Sequence, residues 1–511
     1  MRKNLQEHYQ QVLAIAKLSS IYNSIQYLLH WDQETYMPRD AIKFRSLQIE
    51  AMASLAHKQR TSKKFVSALG KLIDLPTGEI LDPELLEPKR AALREWRRDY
   101  LQSVKLPVSF VRQLASTSAQ ATHVWAQAKQ QNDFKAFAPY LAKIVSLNRK
   151  KADILGYEGH PYDALLELYE PYTSTAFISS LFTRLKEALQ KQLKRITSSS
   201  AYQAVPSQDL LKGKFPADKQ WEFAQKLLQA MGFHSQASRL DQSAHPFCRG
   251  ISPKDIRMTT NIREAFLMTH LFAVLHEGGH GLYEAGLPEE HYGSPLGEAC
   301  SLGIHESQSR WWEIWIGHSL PFWQYFYPKL KATFSAHFHA LSLDQFHRFI
   351  NTVSPSLIRI YADEVTYSLH VILRFELEKA LIEGQLKIKD LPEAWNAKMQ
   401  AYLGITPTHH AEGCLQDIHW SMGAFGYFPT YTLGNLYAAQ LFTTFEQHHA
   451  NWQARVAQGE LGFIREWLRE HIHQYGRQFP PQELVARVTG QTLTEAPYLQ
   501  YLEKKYTTIY P

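Results

Sequence analysis

The chain has 511 residues, of which 45% are hydrophobic and 20% charged, and its formal net charge is +6. This composition is typical of a globular protein, and basic residues spread along the whole chain argue against a nucleic-acid partner. No run approaches the roughly 18 apolar residues that cross a bilayer, so we expect no membrane partner.

Helical spacing dominates the first part of the chain. Apolar residues recur every three to four positions over three stretches, 4–30, 40–75 and 86–150. Residues 31–38 are interpreted as a break, because Met37 precedes a proline and such a residue disfavours the helical conformation. This break is expected to be a loop that packs on the body or lines a cleft.

Proline and glycine signals divide this helical region further. Leu106 precedes a proline and splits the third stretch into two helices, and another helix is predicted over residues 175–196. Between them, the turn-rich residues 156–163 mark a candidate hinge. We therefore predict one mainly α domain with two helical lobes, an N-terminal lobe over roughly 1–155 and a catalytic lobe over roughly 156–511.

One segment departs from the helical pattern. Residues 238–262 form short, partly alternating runs separated by Gly250 and Pro253, which predicts a small antiparallel β element. An exposed strand edge can hold an extended peptide by main-chain hydrogen bonds. A hairpin that only covers the next helix is an equally good interpretation.

The next segment carries the clearest chemistry. His276 and His280 stand four residues apart in an H-E-x-x-H motif, so a helix places both imidazoles on one face within reach of one ion. Glu277 is positioned to take a proton from a metal-activated water. Gly278 and Gly279 lie between the histidines and predict open space beside the metal for a substrate backbone.

A catalytic zinc site of this kind needs a third ligand and one open position. Glu284 is excluded, because it lies about 12 Å along the helix axis from His276. Glu298 and Glu306 follow a connection rich in glycine and proline, in a segment that predicts a second helix folding back on the first. Spacing alone excludes neither carboxylate as the third ligand, and it favours Glu306.

The rest of the chain is predicted to be mainly helical. Residues 354–383 form a long helical run in which Arg359 and Asp363 stand at i and i+4, the spacing of a salt bridge. Residues 411–437 contain too many glycines and aromatic residues for one helix and predict an irregular cleft wall. Amphipathic helices return over residues 438–511.

Cysteine usage points to the cellular compartment. Three widely separated cysteines, Cys248, Cys300 and Cys414, are too few for a disulfide framework. The N-terminal segment has a basic start without the apolar core of a signal peptide. We therefore expect a cytoplasmic protein.

The motifs together resemble the carboxypeptidase Taq family of metallocarboxypeptidases. The metal motif is followed by GSPLGEACSLGIHESQSRWWE, and further family blocks appear in order along nearly the whole chain. They are HWDQETYMP at 30–38, HPF at 245–247, DIRMT at 255–259, IRIYAD at 358–363 and GCLQDIHW at 413–420. In that family the glutamate of the His-Glu-Ser-Gln block is the third metal ligand, which implies Glu306.

The resemblance implies a metallocarboxypeptidase that binds a peptide with a free C-terminus, and a homodimer. Zn²⁺ is the expected cofactor, and Co²⁺ or Mn²⁺ suits the same ligands. The block containing Arg359 resembles the element that binds the substrate's terminal carboxylate, with Asp363 orienting the guanidinium. His419, Tyr427 and Tyr431 are candidate donors to the oxyanion.

Other functions fit parts of the pattern. A zinc endopeptidase or oligopeptidase would use the same metal chemistry without a carboxylate clamp, and an aminopeptidase would need acidic residues for the free amine. A non-catalytic helical protein could use the metal only to stabilise its fold. Such a structural site has four protein ligands, and the sequence does not offer a fourth. If Arg359 is not the clamp, Arg257 and Arg263 are the next candidates.

Overall fold

Helices form most of the protein, and its computed structural model describes residues 2–203, 211 and 213–511. Before the sheet, the described α-helices are α1 Arg2–Thr35, α2 Ile42–Arg60, α3 Lys63–Leu69, α4 Glu87–Lys105, α5 Val108–Gln131, α6 Phe134–Leu155, α7 Pro161–Leu166, α8 Thr175–Thr197, α9 Ser200–Gln203 and α10 Ala217–Met231. The strands are β1 Ser238–Gln242, β2 Cys248–Ser252 and β3 Asp255–Thr260.

The sheet is followed by a second helical region. Its helices are α11 Leu267–Gly286, α12 Leu302–Arg310, α13 Leu320–Thr333, α14 Ser335–Phe338, α15 Leu343–Ile350, α16 Glu364–Glu383, α17 Leu391–Leu403, α18 Pro429–His448, α19 Trp452–Ala457, α20 Gly462–His471, α21 Pro481–Thr489 and α22 Ala496–Ile509. A π-helical segment, Trp311–Ile316, continues α12. Short 3₁₀ turns are Arg39–Ala41, Glu289–His291, Pro295–Gly297, Arg359–Tyr361, Ile388–Asp390 and His473–Tyr475.

The predicted break at 31–38 is wrong for residues 31–35, because α1 continues to Thr35. Trp31 is buried, and the guanidinium carbons of Arg239 and Arg257 lie 5.0 and 4.4 Å from its ring centroid. These contacts with the sheet favour another turn of helix. The proline restricts only the residue before it, Met37, which lies beyond the helix end.

Other predicted boundaries agree with the structure. Leu106 has an extended backbone, with ψ of 117°, and separates α4 from α5 as expected for a residue before proline. The helix predicted over 175–196 is α8. Among the described residues, no helix combines the length and the apolar character that crossing a membrane requires.

The sheet has the order β1-β3-β2. The predicted antiparallel pairing is confirmed for β2 and β3, but β1 runs parallel to β3. Hairpin connectivity therefore holds only for the second and third strands. One face of the sheet packs on α11, since Ile256 and Met258 lie against Gly281, while α1 crosses the opposite face.

Two downstream predictions need correction. The run 354–383 is not one helix, because α16 begins only at Glu364, and Asp363 is its N-cap, accepting from the Val365 and Thr366 amides. An aspartate that caps a helix start stabilises that boundary. The irregular segment predicted over 411–437 ends at Phe428, where α18 begins with a proline in its first turn.

Buried apolar side chains form two clusters. The smaller one joins α1, α3 and α4 through residues such as Val12, Phe65 and Trp96. The larger one contains side chains from α5 onward and surrounds α11, α12 and α18. The candidate metal centre therefore rests on the larger core, and the division into lobes at residue 155 stays a prediction.

Candidate metal centre

Helix α11 carries the two histidines on its exposed flank and apolar side chains on the other. His276 and His280 have ring centroids 4.8 Å apart, one turn along the helix. On the other flank Leu271, Val274 and Leu275 are fully buried. The burial of that flank fixes the helix and presents both imidazoles to a cleft.

The glycines of the motif serve packing, contrary to the expected open space for a substrate. A Cβ on Gly279 would lie 2.4 Å from the Gln308 carbonyl oxygen, so α12 crosses the helix there in close contact. A Cβ on Gly278 would lie 2.7 Å from the Met231 side chain. The glycines bring α12 and α10 against the motif.

That close crossing brings Glu306 to the histidines. Its Oε2 lies 3.7 Å from His276 Nε2 and 3.6 Å from His280 Nε2. Ligands held about 2 Å from one tetrahedral ion lie roughly 3.4 Å from each other, so the three atoms fit a single metal ion. Ser309 Oγ also donates to Glu306 Oε2, at 3.2 Å.

Each imidazole is held by its other ring nitrogen. His276 Nδ1 lies 2.8 Å from Glu313 Oε2, and the same oxygen accepts from Arg310 Nη1 at 2.8 Å. His280 Nδ1 lies 3.1 Å from the His305 carbonyl oxygen. When Nδ1 donates in both rings, each Nε2 is left as the acceptor that a metal-binding imidazole needs, on the side of the ring near Glu306.

Glu313 is charged in this arrangement. Burial alone would raise its pKa, but the Arg310 guanidinium and the His276 ring hold the pKa at about 2. The residue lies in the π-helical segment, a geometry that is common at functional sites. A carboxylate behind a metal-binding histidine fixes the ring orientation and raises its basicity.

Glu277 lies beside the ligand cluster and lines the same cleft. It is 8% exposed, and within the described part of the chain its carboxylate accepts no hydrogen bond. Burial raises its pKa to about 7, against the opposing effect of His276. The carboxylate is therefore free to meet a water or a substrate in the cleft.

The cleft has a volume of about 630 Å³. Its walls come from α1, from residues 246–253 including all of β2, from α11 and α12, from Tyr427 before α18 and from Tyr431 in the first turn of α18. These elements are far apart in sequence, and a peptide of several residues fits the space between them.

The structure does not pair Arg359 with Asp363. Arg359 instead donates from Nε and Nη2 to Asp417 Oδ1, at 3.2 and 2.8 Å, and Nη1 lies 3.3 Å from the Tyr367 hydroxyl. Asp363 is occupied as the α16 cap. The guanidinium is buried behind Tyr431, with its carbon 4.8 Å from that ring's centroid.

A second arginine shares the same aspartate. Arg374 Nε donates to Asp417 Oδ2 at 2.6 Å. Although burial opposes ionisation, the two guanidinium groups hold the pKa of Asp417 far below its usual range. Two cations on one carboxylate leave a net positive charge behind the cleft wall.

The other residues predicted for the site differ in whether they reach the cleft. Tyr427 and Tyr431 line the cleft, whereas His419 lies behind them with Nε2 3.1 Å from the Tyr431 hydroxyl. Burial lowers the pKa of His419 to about 4, so its ring is neutral. Glu298 is bound to Arg477 at 2.8 Å, away from the histidines.

Comparison with known proteins identifies the family of this chain. The family model for the carboxypeptidase Taq (M32) metallopeptidases matches residues 11–506. The chain belongs to the carboxypeptidase Taq family. The family resemblance and the metal-dependent carboxypeptidase activity expected from it are therefore confirmed, and membership of the family implies a divalent metal ion.

Individual relatives of this carboxypeptidase Taq family member cover it almost completely. Thermostable carboxypeptidase 1 of Thermus thermophilus is 42% identical over 98% of this chain and 99% of its own length. Carboxypeptidase 1 of Bacillus subtilis is 36% identical over 97% of both chains. The solved M32 carboxypeptidase of Deinococcus radiodurans has a TM-score of 0.94 at 32% identity and 99% coverage of both chains.

Sequence reasoning missed the residues that support the ligands. Arg310 and Glu313 stand at i and i+3, a weak signal that any surface helix also shows. The Arg359–Asp417 contact joins two family blocks that are 58 residues apart. Only their shared membership of the blocks could have suggested the pair.

Proposed function

We propose that His276, His280 and Glu306 bind a zinc ion at which this metallocarboxypeptidase hydrolyses the last peptide bond of its substrate. The convergence of the two Nε2 atoms on Glu306 Oε2, at 3.7 and 3.6 Å, carries the proposal. Two imidazoles and one carboxylate form the protein ligand set of catalytic zinc. Co²⁺ and Mn²⁺ also accept these donors.

The bound ion would polarise the scissile carbonyl and lower the pKa of the attacking water. Glu277 accepts the proton of that water at a carboxylate oxygen and delivers it to the leaving amine nitrogen. Glu313 and the His305 carbonyl keep the two Nδ1 protons in place. The imidazoles therefore hold their orientation throughout the reaction.

Arg359 binds the terminal carboxylate of the substrate in this proposal. A guanidinium pairs with a carboxylate through two parallel hydrogen bonds, and Asp417 fixes its orientation. The net positive charge that Arg359 and Arg374 share with Asp417 supports this role. Because Tyr431 lines the cleft and its ring centroid lies 4.8 Å from the Arg359 guanidinium carbon, the terminal carboxylate would approach Arg359 past the edge of this ring.

Tyr427 and Tyr431 are the proposed donors to the oxyanion, because both line the cleft. His419 contributes through Tyr431, whose hydroxyl lies 3.1 Å from His419 Nε2. The histidine would thereby set the direction in which the tyrosine donates.

The free edge of β2 is the proposed backbone site of the peptide. Thr259 N donates to the Phe247 carbonyl oxygen at 2.8 Å and Phe247 N donates to Thr259 Oγ1 at 3.0 Å, so the backbone of Phe247 faces β3. By strand alternation, the amides and carbonyls of Cys248 and Gly250 point away from β3. Among the described residues no further strand pairs with this edge. Substrates N-methylated at the bonding position should be cleaved poorly.

We also propose a homodimer. Apolar side chains are exposed along one stripe of α1 and on α2, namely Leu18, Ile21, Ile25, Phe44 and Leu47. A second copy would cover them. Light scattering should give twice the chain mass, and Phe44→Glu with Leu47→Glu should give the single-chain mass.

A cytoplasmic location is the last part of the proposal. All three cysteines are free thiols, and Cys300 and Cys414 are buried. Unpaired thiols are typical of a reducing compartment. Cell fractionation tests this location.

Metal analysis combined with mass spectrometry of the products tests the central proposal. The purified protein should contain about one equivalent of metal, and an unblocked peptide should lose residues from its C-terminus. The same peptide with a C-terminal amide should be cleaved poorly. Cleavage within both peptides at equal rates would contradict the carboxypeptidase mechanism.

A further inference from the structure

Three arginines form a row across the sheet. Arg239 of β1 and Arg249 of β2 both stand opposite Arg257 of β3. Their side chains project from the face of the sheet that is turned toward α1. There Arg239 and Arg257 stack on Trp31, and Arg249 lies 5.7 Å from the Tyr27 ring centroid. The aromatic side chains of α1 hold the row in position.

Two members of the row are neutralised by carboxylates. Arg239 Nη2 lies 2.7 Å from Asp241, and Arg257 Nε lies 2.5 Å from Asp255. In each case the acid stands two residues from the arginine, on the same face of the same strand. Arg249 has Phe247 and Ile251 at those positions, and no carboxylate among the described residues is within 4 Å of it.

Arg249 is also the member that reaches the cleft. It is exposed and lines the same cavity as Glu277 and the metal ligands. The other arginine of the cavity wall, Arg60, lies 3.5 Å from Glu298. The nearby Glu284 is engaged by His305 Nε2 at 2.8 Å. Arg249 therefore presents an uncompensated cation to a bound peptide.

We infer that Arg249 binds an acidic side chain of the substrate on the amino side of the scissile bond, and so favours peptides with glutamate or aspartate there. This inference rests on the proposed function. Arg359 lies behind Tyr431, where the terminal residue would bind. Arg249 instead lies on β2, which packs beside α1. A peptide along the β2 edge would pass its preceding residues across this guanidinium.

Peptides that differ only by Glu or Gln at each of the two residues before the released one test the inference. For the wild-type enzyme, kcat/KM should favour Glu at one of these positions by about 3- to 30-fold, the effect of a partly exposed charge-assisted pair. Raising the salt concentration should reduce the ratio, because it screens the contact. Arg249→Ala should bring the ratio to about one, and Arg249→Glu should invert it.

Arg239→Ala is the matched control, since it removes an arginine of the same row that is paired with Asp241 and does not line the cleft. It should keep the wild-type ratio. Arg249→Lys should keep part of the preference, because it retains the charge without the planar fork. Thermal unfolding of every variant checks that the fold is preserved.

Other outcomes overturn the inference. Equal loss of kcat/KM on Glu and Gln peptides in Arg249→Ala would make this arginine the terminal carboxylate clamp. An unchanged ratio would leave it only a packing role on Tyr27. A preference confined to the released residue would contradict the amino-side position. If the wild-type enzyme released no C-terminal residue from any peptide, the proposed function itself would fail.

Discussion

Glu313 Oε2 lies 2.8 Å from the Nδ1 atom of His276, on the side of the ring opposite the proposed metal position. The same oxygen accepts from Arg310, so the carboxylate is charged and fixed in direction. This pair links the π-helical segment after α12 to the first proposed metal ligand on α11. The orientation of the proposed ligand His276 therefore depends on a residue outside the proposed ligand set.

Glu313→Gln tests that dependence. The variant should bind its metal about 10- to 100-fold more weakly, because the amide no longer accepts as strongly from the His276 N–H. Competition with a chelator of known affinity measures the effect. Glu466→Gln, on the exposed surface of α20, should leave the affinity unchanged. Wild-type affinity in Glu313→Gln would show that the ring is oriented without this carboxylate.

Glu277→Gln should keep the metal and lose turnover by about 1,000-fold or more, because a neutral amide cannot accept the proton of the attacking water. His276→Ala, His280→Ala and Glu306→Ala should each release the ion instead. Metal content and kcat are measured on the same preparations. If Glu306→Ala retains its metal while Glu298→Ala loses it, the third ligand is assigned to the wrong carboxylate.

Arg359→Ala should lower kcat/KM on free-acid peptides by roughly 30-fold to several thousandfold, corresponding to about 2–5 kcal/mol for a buried charge pair. C-terminally amidated peptides, already poor substrates, should change little. Arg359→Lys should restore part of the activity.

The buried contact with Asp417 also makes Arg359 important for stability, so unfolding is measured beside activity. If Arg359 only balances Asp417, both peptide types lose activity in equal proportion. That outcome would show that a different cationic residue binds the terminal carboxylate.

Gly279→Ala should weaken both the fold and the metal site. The new Cβ would lie 2.4 Å from the Gln308 carbonyl oxygen, so α12 must move away and take Glu306 with it. Such overpacking costs about 1–3 kcal/mol. Gly462→Ala is the control, because nothing lies within 4 Å of the added carbon. Equal stability and metal affinity in both variants would refute the close helix crossing.

Glu378 gives a pH dependence that is independent of the metal. Burial raises its pKa from 4.5 to about 7, although Tyr162, Trp420 and the Gly426 amide donate to it. Because the pKa is higher in the folded state, folding takes up a proton between these values. The stabilisation is complete below pH 4.5 and is lost as pH rises through about 7.

Glu378→Gln removes this titration. The difference in unfolding free energy, variant minus wild type, should rise by up to about 3 kcal/mol as the pH is raised from 5 to 8. Chemical denaturation at both pH values measures the difference. Parallel pH profiles of the two proteins would show that Glu378 titrates normally in the fold.

Local sequence was sufficient where the interaction itself is local. The i and i+4 spacing of His276 and His280 predicts one face of one helix, because helix geometry depends only on neighbouring residues. The break at Leu106 follows from the steric effect of the next proline. The family and its activity were likewise predictable, because ordered blocks along the chain carry that information.

Tertiary structure decided the contacts between distant segments. Local spacing pairs Arg359 with Asp363, yet Asp363 caps α16 and the guanidinium turns to Asp417, 58 residues away. Tertiary contacts of the same kind decide the parallel pairing of β1, the position of Glu313 behind His276 and the exposure of Arg249 in the cleft. Each depends on which helices and strands pack together, and the larger free energy of burying their apolar faces outweighs any single local pairing.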